Sequence, residues 1–229
     1  MSATSLHYIV HNQTQGAPLL LLLHGYASNE EDLIGLAPYF DARLVCISAR
    51  APYPLDFGGF AWFNIDRGPE GVSFDFAEAM ESLVQVLALV EALVEEYQPP
   101  CVFVGGFSQG ASMALAAALQ RPEIFAGALA LSGVYGEALL PEDPETVRGF
   151  KVFMAHGRQD PLIPIDQARA SKALLDPLGL DLVYNEYDMP HAIDQPCLED
   201  IDAWLKERLD GDQSWARDRG FRGPFARGP

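Results

Sequence analysis

Basic residues are scarce in this 229-residue chain: 15 Lys and Arg stand against 32 Asp and Glu, a formal net charge of −17. So acidic a surface repels phosphate backbones and anionic headgroups, so neither nucleic acid nor a stable membrane association is expected. Cysteine is sparse as well. Cys46, Cys101 and Cys197 are odd in number and contain no Cys-x-x-Cys pair, which argues against a disulfide framework and against a zinc knuckle. Cys46 and Cys101 fall in apolar runs, where a free thiol serves as a small buried hydrophobe. Residues 1–5 lack the basic segment and long apolar run of a secretory signal. The apolar run 19–23 falls far short of the roughly 20 residues needed to cross a bilayer. A reducing cytoplasm is therefore the expected location. His7 and His11 have no clustered acidic or thiol ligands beside them, so no metal site is expected.

Apolar residues, by contrast, make up 49% of the chain, ample for a buried sheet in one domain of this length. Short apolar runs alternate with longer amphipathic ones. Strands are expected at residues 6–11, 19–24, 44–48, 101–105, 127–132, 151–156 and 182–187. Several are continuously apolar, the mark of strands buried on both faces of a parallel sheet. Helices are expected at 74–97, 112–120, 166–175 and 196–209, with Asp194 as N-cap of the last. The alternation predicts an α/β fold: a mostly parallel central sheet, helices on both faces, and little or no separate cap domain. The stretch 49–73 holds four glycines and three prolines and reads as a long functional loop. Residues 1–209 are expected to form one domain, and 210–229, rich in Gly and Arg, a flexible tail.

One pentapeptide carries chemistry. Gly106-Phe107-Ser108-Gln109-Gly110 matches the Gly-x-Ser-x-Gly turn that lifts a nucleophilic hydroxyl above a sheet. The pattern alone is weak, but a strand-like run precedes it and an alanine-rich helical run follows, the context such a turn requires. A serine hydroxyl needs a base, and histidine with an ordinary pKa near 6.5 suits that task. In this arrangement the chain order is Ser, then acid, then His. His156 and His191 both follow Ser108, and the order selects His191, which lies in the loop after the last strand. Asp160, in the loop after the sixth strand, leads as the acid over Asp143, Asp176, Asp181 and Asp188. The backbone N–H groups of Gln109 and Tyr26 are expected to hold the oxyanion. Tyr53, Phe57, Phe60, Trp62 and Phe63 crowd the long loop, and Leu162, Ile163 and Ile193 flank the acid and base. Of these, Trp62, Phe63, Leu162, Ile163 and Ile193 are the expected substrate-binding residues, since small-ligand pockets are mainly apolar.

Over roughly residues 18–208 the chain resembles the phospholipase/carboxylesterase family, which includes the acyl-protein thioesterases. The matching segments are Leu23-His24-Gly25-Tyr26, Arg50-Ala51-Pro52, Ala61-Trp62-Phe63, Gly105 through Ala111, His156-Gly157 through Asp160, Ile163-Pro164, and His191. The resemblance implies an α/β-hydrolase without cofactor that cleaves esters or thioesters. It implies Ser108, Asp160 and His191 as the triad, with Tyr26 and Gln109 as donors. The chain departs from the family pattern at Ala27, where relatives often carry glycine, and at Asn64, where an aspartate often stands. The expected function is hydrolysis of short- to medium-chain carboxylic esters by a monomer or homodimer. Long-chain lysophospholipase or acyl-protein thioesterase activity is the second reading, and a non-enzymatic ligand-binding scaffold the third.

Overall fold

The computed structural model describes residues 6–68 and 71–211. All but the first two residues of the expected tail lie outside the described residues. The first half runs β1 (Tyr8–His11), β2 (Leu19–Leu23), α1 (Glu30–Ile34) and β3 (Val45–Ala49). Two small strand pairs follow, β4 (Tyr53–Pro54) with β5 (Phe60–Ala61) and β6 (Ile65–Gly68) with β7 (Gly71–Phe74). The second half comprises α2 (Phe76–Tyr97), β8 (Val102–Phe107), α3 (Gln109–Gln120) and β9 (Gly127–Leu131). It ends with β10 (Lys151–Gly157), α4 (Ile165–Leu175), β11 (Asp181–Tyr187) and α5 (Gln195–Asp210).

Seven strands form one sheet in the order β1-β3-β2-β8-β9-β10-β11. Only β1 runs antiparallel to its neighbour; the other pairs are parallel. Every residue of the all-leucine β2 is buried, which demands cover on both faces. Leu19, Leu21 and Leu23 point into the layer built by α2, α3 and α4, while Leu20 and Leu22 point toward α1 and α5. The seven strands follow the expected runs to within two residues at either end. β8 continues through Gly106 to Phe107, and α3 begins at Gln109 rather than 112, because the glycines of the Gly-x-Ser-x-Gly turn belong to the strand end and the first turn of the helix.

The 49–73 stretch is more regular than a loop, since both strand pairs fall within it or at its edge. Strands of two to four residues have no period to detect. The five-residue α1 escaped for the same reason, although Asn29 caps it by accepting from the Glu31 amide at 2.8 Å. Asp75 and Asp194 cap α2 and α5 in the same way. All three cysteines are free and buried, and burial pushes each thiol up to about 12, as suits inert packing groups.

On the α5 side, Trp204 fits between Phe103 and Phe153, with ring centroids 6.2 and 6.1 Å away. The Arg208 guanidinium lies over its outer face at 3.9 Å. Trp204→Ala is expected to lower unfolding free energy by about 3–5 kcal/mol in a urea titration, the usual cost of deleting a buried large aromatic. A loss under 1 kcal/mol would show that this side of the core can collapse around the gap.

Candidate active site

Ser108 sits between β8 and α3 with φ 56° and ψ −118°, a left-handed conformation costing about 1–3 kcal/mol for a residue with a side chain. Its amide is anchored to the Leu131 carbonyl at 2.8 Å. The turn closes only because its flanks lack side chains: an ideal Cβ on Gly106 would lie 2.0 Å from the Gly110 carbonyl oxygen. One on Gly110 would lie 2.0 Å from the Leu23 oxygen, so α3 enters directly over the end of β2. Gln109, the first residue of α3, has its amide at the positive end of the helix.

The expected acid and base meet. His191 Nδ1 donates to Asp160 Oδ2 at 2.6 Å, which leaves Nε2 as the ring's free acceptor. The other carboxylate oxygen, Oδ1, accepts from the amides of Leu162 and Ile163, both at 2.9 Å. Burial by itself would raise the Asp160 pKa, but the Ile163 amide, His191 and the Leu162 amide outweigh it, and the net shift is downward. The two loops are stitched together by backbone bonds from Arg158 to Tyr187, at 2.8 Å, and from Gln159 to Met189, at 3.2 Å. The His191 ring packs on Phe107, the residue preceding Ser108, at a centroid separation of 4.7 Å.

The Tyr26 loop passes beside Ser108: an ideal Cβ on Gly25 would stand 3.3 Å from Ser108 Cβ. It is held from three directions. The Ala27 amide donates to the Phe60 carbonyl at 3.0 Å, and the Phe60 amide returns a bond to Ser28 at 2.8 Å. His24, fully buried, donates from Nδ1 to the Gly25 carbonyl at 2.7 Å and accepts from the Ala51 amide at Nε2 at 3.0 Å. Burial, the largest influence on this ring, drives its pKa below the ordinary value and keeps it a neutral spacer. Arg50 donates to Glu30 of α1 while stacking on Phe60 at 4.7 Å, closing the other side of the loop.

Sequence reasoning assigned Gln109 only a backbone role, but its side chain is a clamp. Oε1 accepts from the Trp62 amide at 2.8 Å, and Nε2 donates to the Phe63 carbonyl at 2.7 Å. Trp62 itself corrects an expectation. It is fully buried, its Nε1 donates to the His24 carbonyl at 2.9 Å, and its ring lies 5.6 Å from that of His24. Trp62 is thus a wedge joining α3 to the Tyr26 loop, with no face left to line a pocket. Phe63 is half-buried against Phe74, Ile163 and Ile193 are half-buried, and Leu162 is 61% exposed. Among the described residues no group of three or more His, Cys, Asp or Glu is placed to hold a metal ion.

The phospholipase/carboxylesterase family profile matches residues 5–209. The chain belongs to the phospholipase/carboxylesterase family. It is 30% identical over 208 residues to the esterase YpfH of Escherichia coli (strain K12), covering 84% of each chain. It is 27% identical over 211 residues to acyl-protein thioesterase 1 of Kluyveromyces lactis, covering 83% of this chain and 92% of that one. Among solved structures, esterase PE8 superposes with a TM-score of 0.76 at 27% identity, over 89% of this chain and 99% of that one.

The two departures from the phospholipase/carboxylesterase pattern sit in different local settings. Ala27 adopts φ 63°, a conformation that favours glycine, and its amide bond to the Phe60 carbonyl, with the bond from the Phe60 amide to the Ser28 carbonyl beside it, holds it there. Asn64 donates from its amide nitrogen and side chain to Glu78 at 2.7 and 2.9 Å, a partner that an aspartate would repel. Gln109→Ala leaves the α3 amide in place but orphans the Trp62 amide and the Phe63 carbonyl. It is expected to cost about 1–3 kcal/mol of stability and to lower kcat, read by urea titration and steady-state ester hydrolysis. Unchanged stability and rate would show that the clamp holds nothing.

Proposed function

We propose that the protein is a serine hydrolase that cleaves carboxylic esters of short to medium acyl chains through an acyl-enzyme intermediate on Ser108. The observation that carries this reading is the 2.6 Å bond from His191 to Asp160, with the imidazole seated against the residue preceding Ser108. His191 Nε2 takes the Ser108 proton as Oγ attacks the acyl carbon. The Gln109 and Tyr26 amides receive the oxyanion, worth about 2.7–4 kcal/mol for each such donor in comparable sites. The protonated His191, steadied by Asp160, then gives its proton to the departing alcohol or thiol. Water enters, loses a proton to the same Nε2 and attacks the acyl carbon; the acid leaves as Ser108 regains its proton. Phe63, Leu162, Ile163 and Ile193 supply the apolar contacts to the acyl chain, and no cofactor takes part.

A second reading, thioesterase or lysophospholipase activity on long acyl groups, draws on the exposed apolar groups beside the site. Leu162 is 61% exposed next to Asp160, and Phe57 is 73% exposed beside the Tyr26 ring. A longer chain would cover both. No helix among the described residues is long and apolar enough to cross a membrane, and we place the enzyme in a reducing cytoplasm on its three unpaired thiols.

The test is hydrolysis of p-nitrophenyl esters of graded acyl length beside a long-chain acyl thioester. Activity should peak at short to medium chains. Ser108→Ala should remove about six orders of magnitude of kcat, as loss of the nucleophile does in comparable triads. A steep rise toward long chains would instead favour the second reading. Full activity in Ser108→Ala would remove Ser108 from the mechanism.

A further inference from the structure

His156 has no part in the reaction as written, yet it is fully buried directly behind the acid. Its Nε2 lies 2.8 Å from the Ile163 carbonyl, an acceptor only, so the ring proton resides on Nε2. The same nitrogen stands 3.4 Å from Asp160 Oδ2, the oxygen that receives the His191 bond. Its Nδ1 is buried with no protein partner among the described residues, which agrees with a lone pair rather than a second N–H there. Ile163 is in turn one of the two residues whose amides hold Asp160 Oδ1. One neutral histidine N–H thus pins the turn that grips the carboxylate and turns the positive end of its dipole toward the carboxylate itself.

We infer that His156 is a positioning residue for Asp160: it fixes the 160–163 turn and tempers the carboxylate against which His191 is held. The inference deepens the proposed triad and rests on it. The remaining charged groups on the elements packed around this corner are engaged elsewhere. Glu186, beside His156 in the β10–β11 register, is bound by Arg169 of α4 and lies near Arg158. Asp188 pairs with Arg158, Asp166 with Arg169, and Asp194 caps α5. His156 is the one ionisable side chain besides His191 in contact with the Asp160 carboxylate among the described residues.

Without the His156 N–H, the Asp160 carboxylate is less stabilised and holds the protonated His191 more tightly. The acid limb of the rate profile then moves to higher pH, because the base must be unprotonated to act. The experiment compares His156→Gln, whose side-chain amide reaches toward the Nε2 position, with His156→Asn, which does not reach it, and with His156→Leu. Asn and Leu are expected to lower kcat about ten-fold with KM unchanged, the scale of one lost hydrogen bond. The acid limb should shift upward in both, and Gln should restore most of the rate and the limb.

The low-field proton resonance of His191 Nδ1–H, titrated by NMR, reads the same shift without turnover. It therefore tests the inference even on a protein that hydrolyses none of the esters offered. If Leu unfolds the chain, as judged by thermal melting, the Gln and Asn pair decides. An unmoved acid limb and His191 titration in Asn, or equal losses in Gln and Asn, would overturn the inference and leave His156 a packing residue.

Discussion

The reversal of the chain at Ser108 is the constraint on which the rest of the site depends. A left-handed serine between a buried strand and a helix forces α3 down onto the end of β2, where only Gly110 allows the approach. The alanine-rich sequence of α3 then buries ten of its residues, so the sheet and helix resist the strain at its origin. Because α3 starts immediately after Ser108, its first side chain, Gln109, faces the 62–63 segment and fastens it. Trp62 passes the restraint on to His24, and His24 to the Tyr26 loop and Ala51. A single backbone turn thereby sets both amides expected to hold an oxyanion.

Asp160 and His191 obey a different logic, in which buried charge is tolerated only where donors surround it. Asp160 has four polar partners: two amides, His191 and the His156 edge. These donors hold its pKa below the ordinary value despite burial, which favours the ionised state that the proposed mechanism requires. The acidity of the whole surface is a separate matter. Among the described residues most Arg and Lys side chains are committed to carboxylate pairs, and exposed ones such as Arg148 with Glu145 and Lys172 with Asp176 are worth little each in water.

Much of this was legible in the sequence because it follows from order and period. Continuous apolar runs marked the sheet, and the order Ser, Asp, His singled out His191 and Asp160, which the structure joins across 31 positions. What escaped depends on contacts between distant segments. Nothing local in Ala61-Trp62-Phe63 distinguishes a pocket aromatic from a buried wedge; the difference is made by Gln109, 47 positions away. Chain order likewise set His156 aside as a base, while its spacing of four from Asp160 hid a contact made through the turn between them. The left-handed Ala27 carries no mark of its own, since alanine is unexceptional until its φ is known.

The central claim is that Ser108 alone among the serines is made nucleophilic by this geometry. The most direct test is reaction with a fluorophosphonate followed by peptide mass spectrometry. The account predicts one phosphonyl adduct per chain, on Ser108, with labelling lost in Ser108→Ala and strongly slowed in His191→Ala. An adduct on another serine, or no adduct on a correctly folded protein, would contradict it.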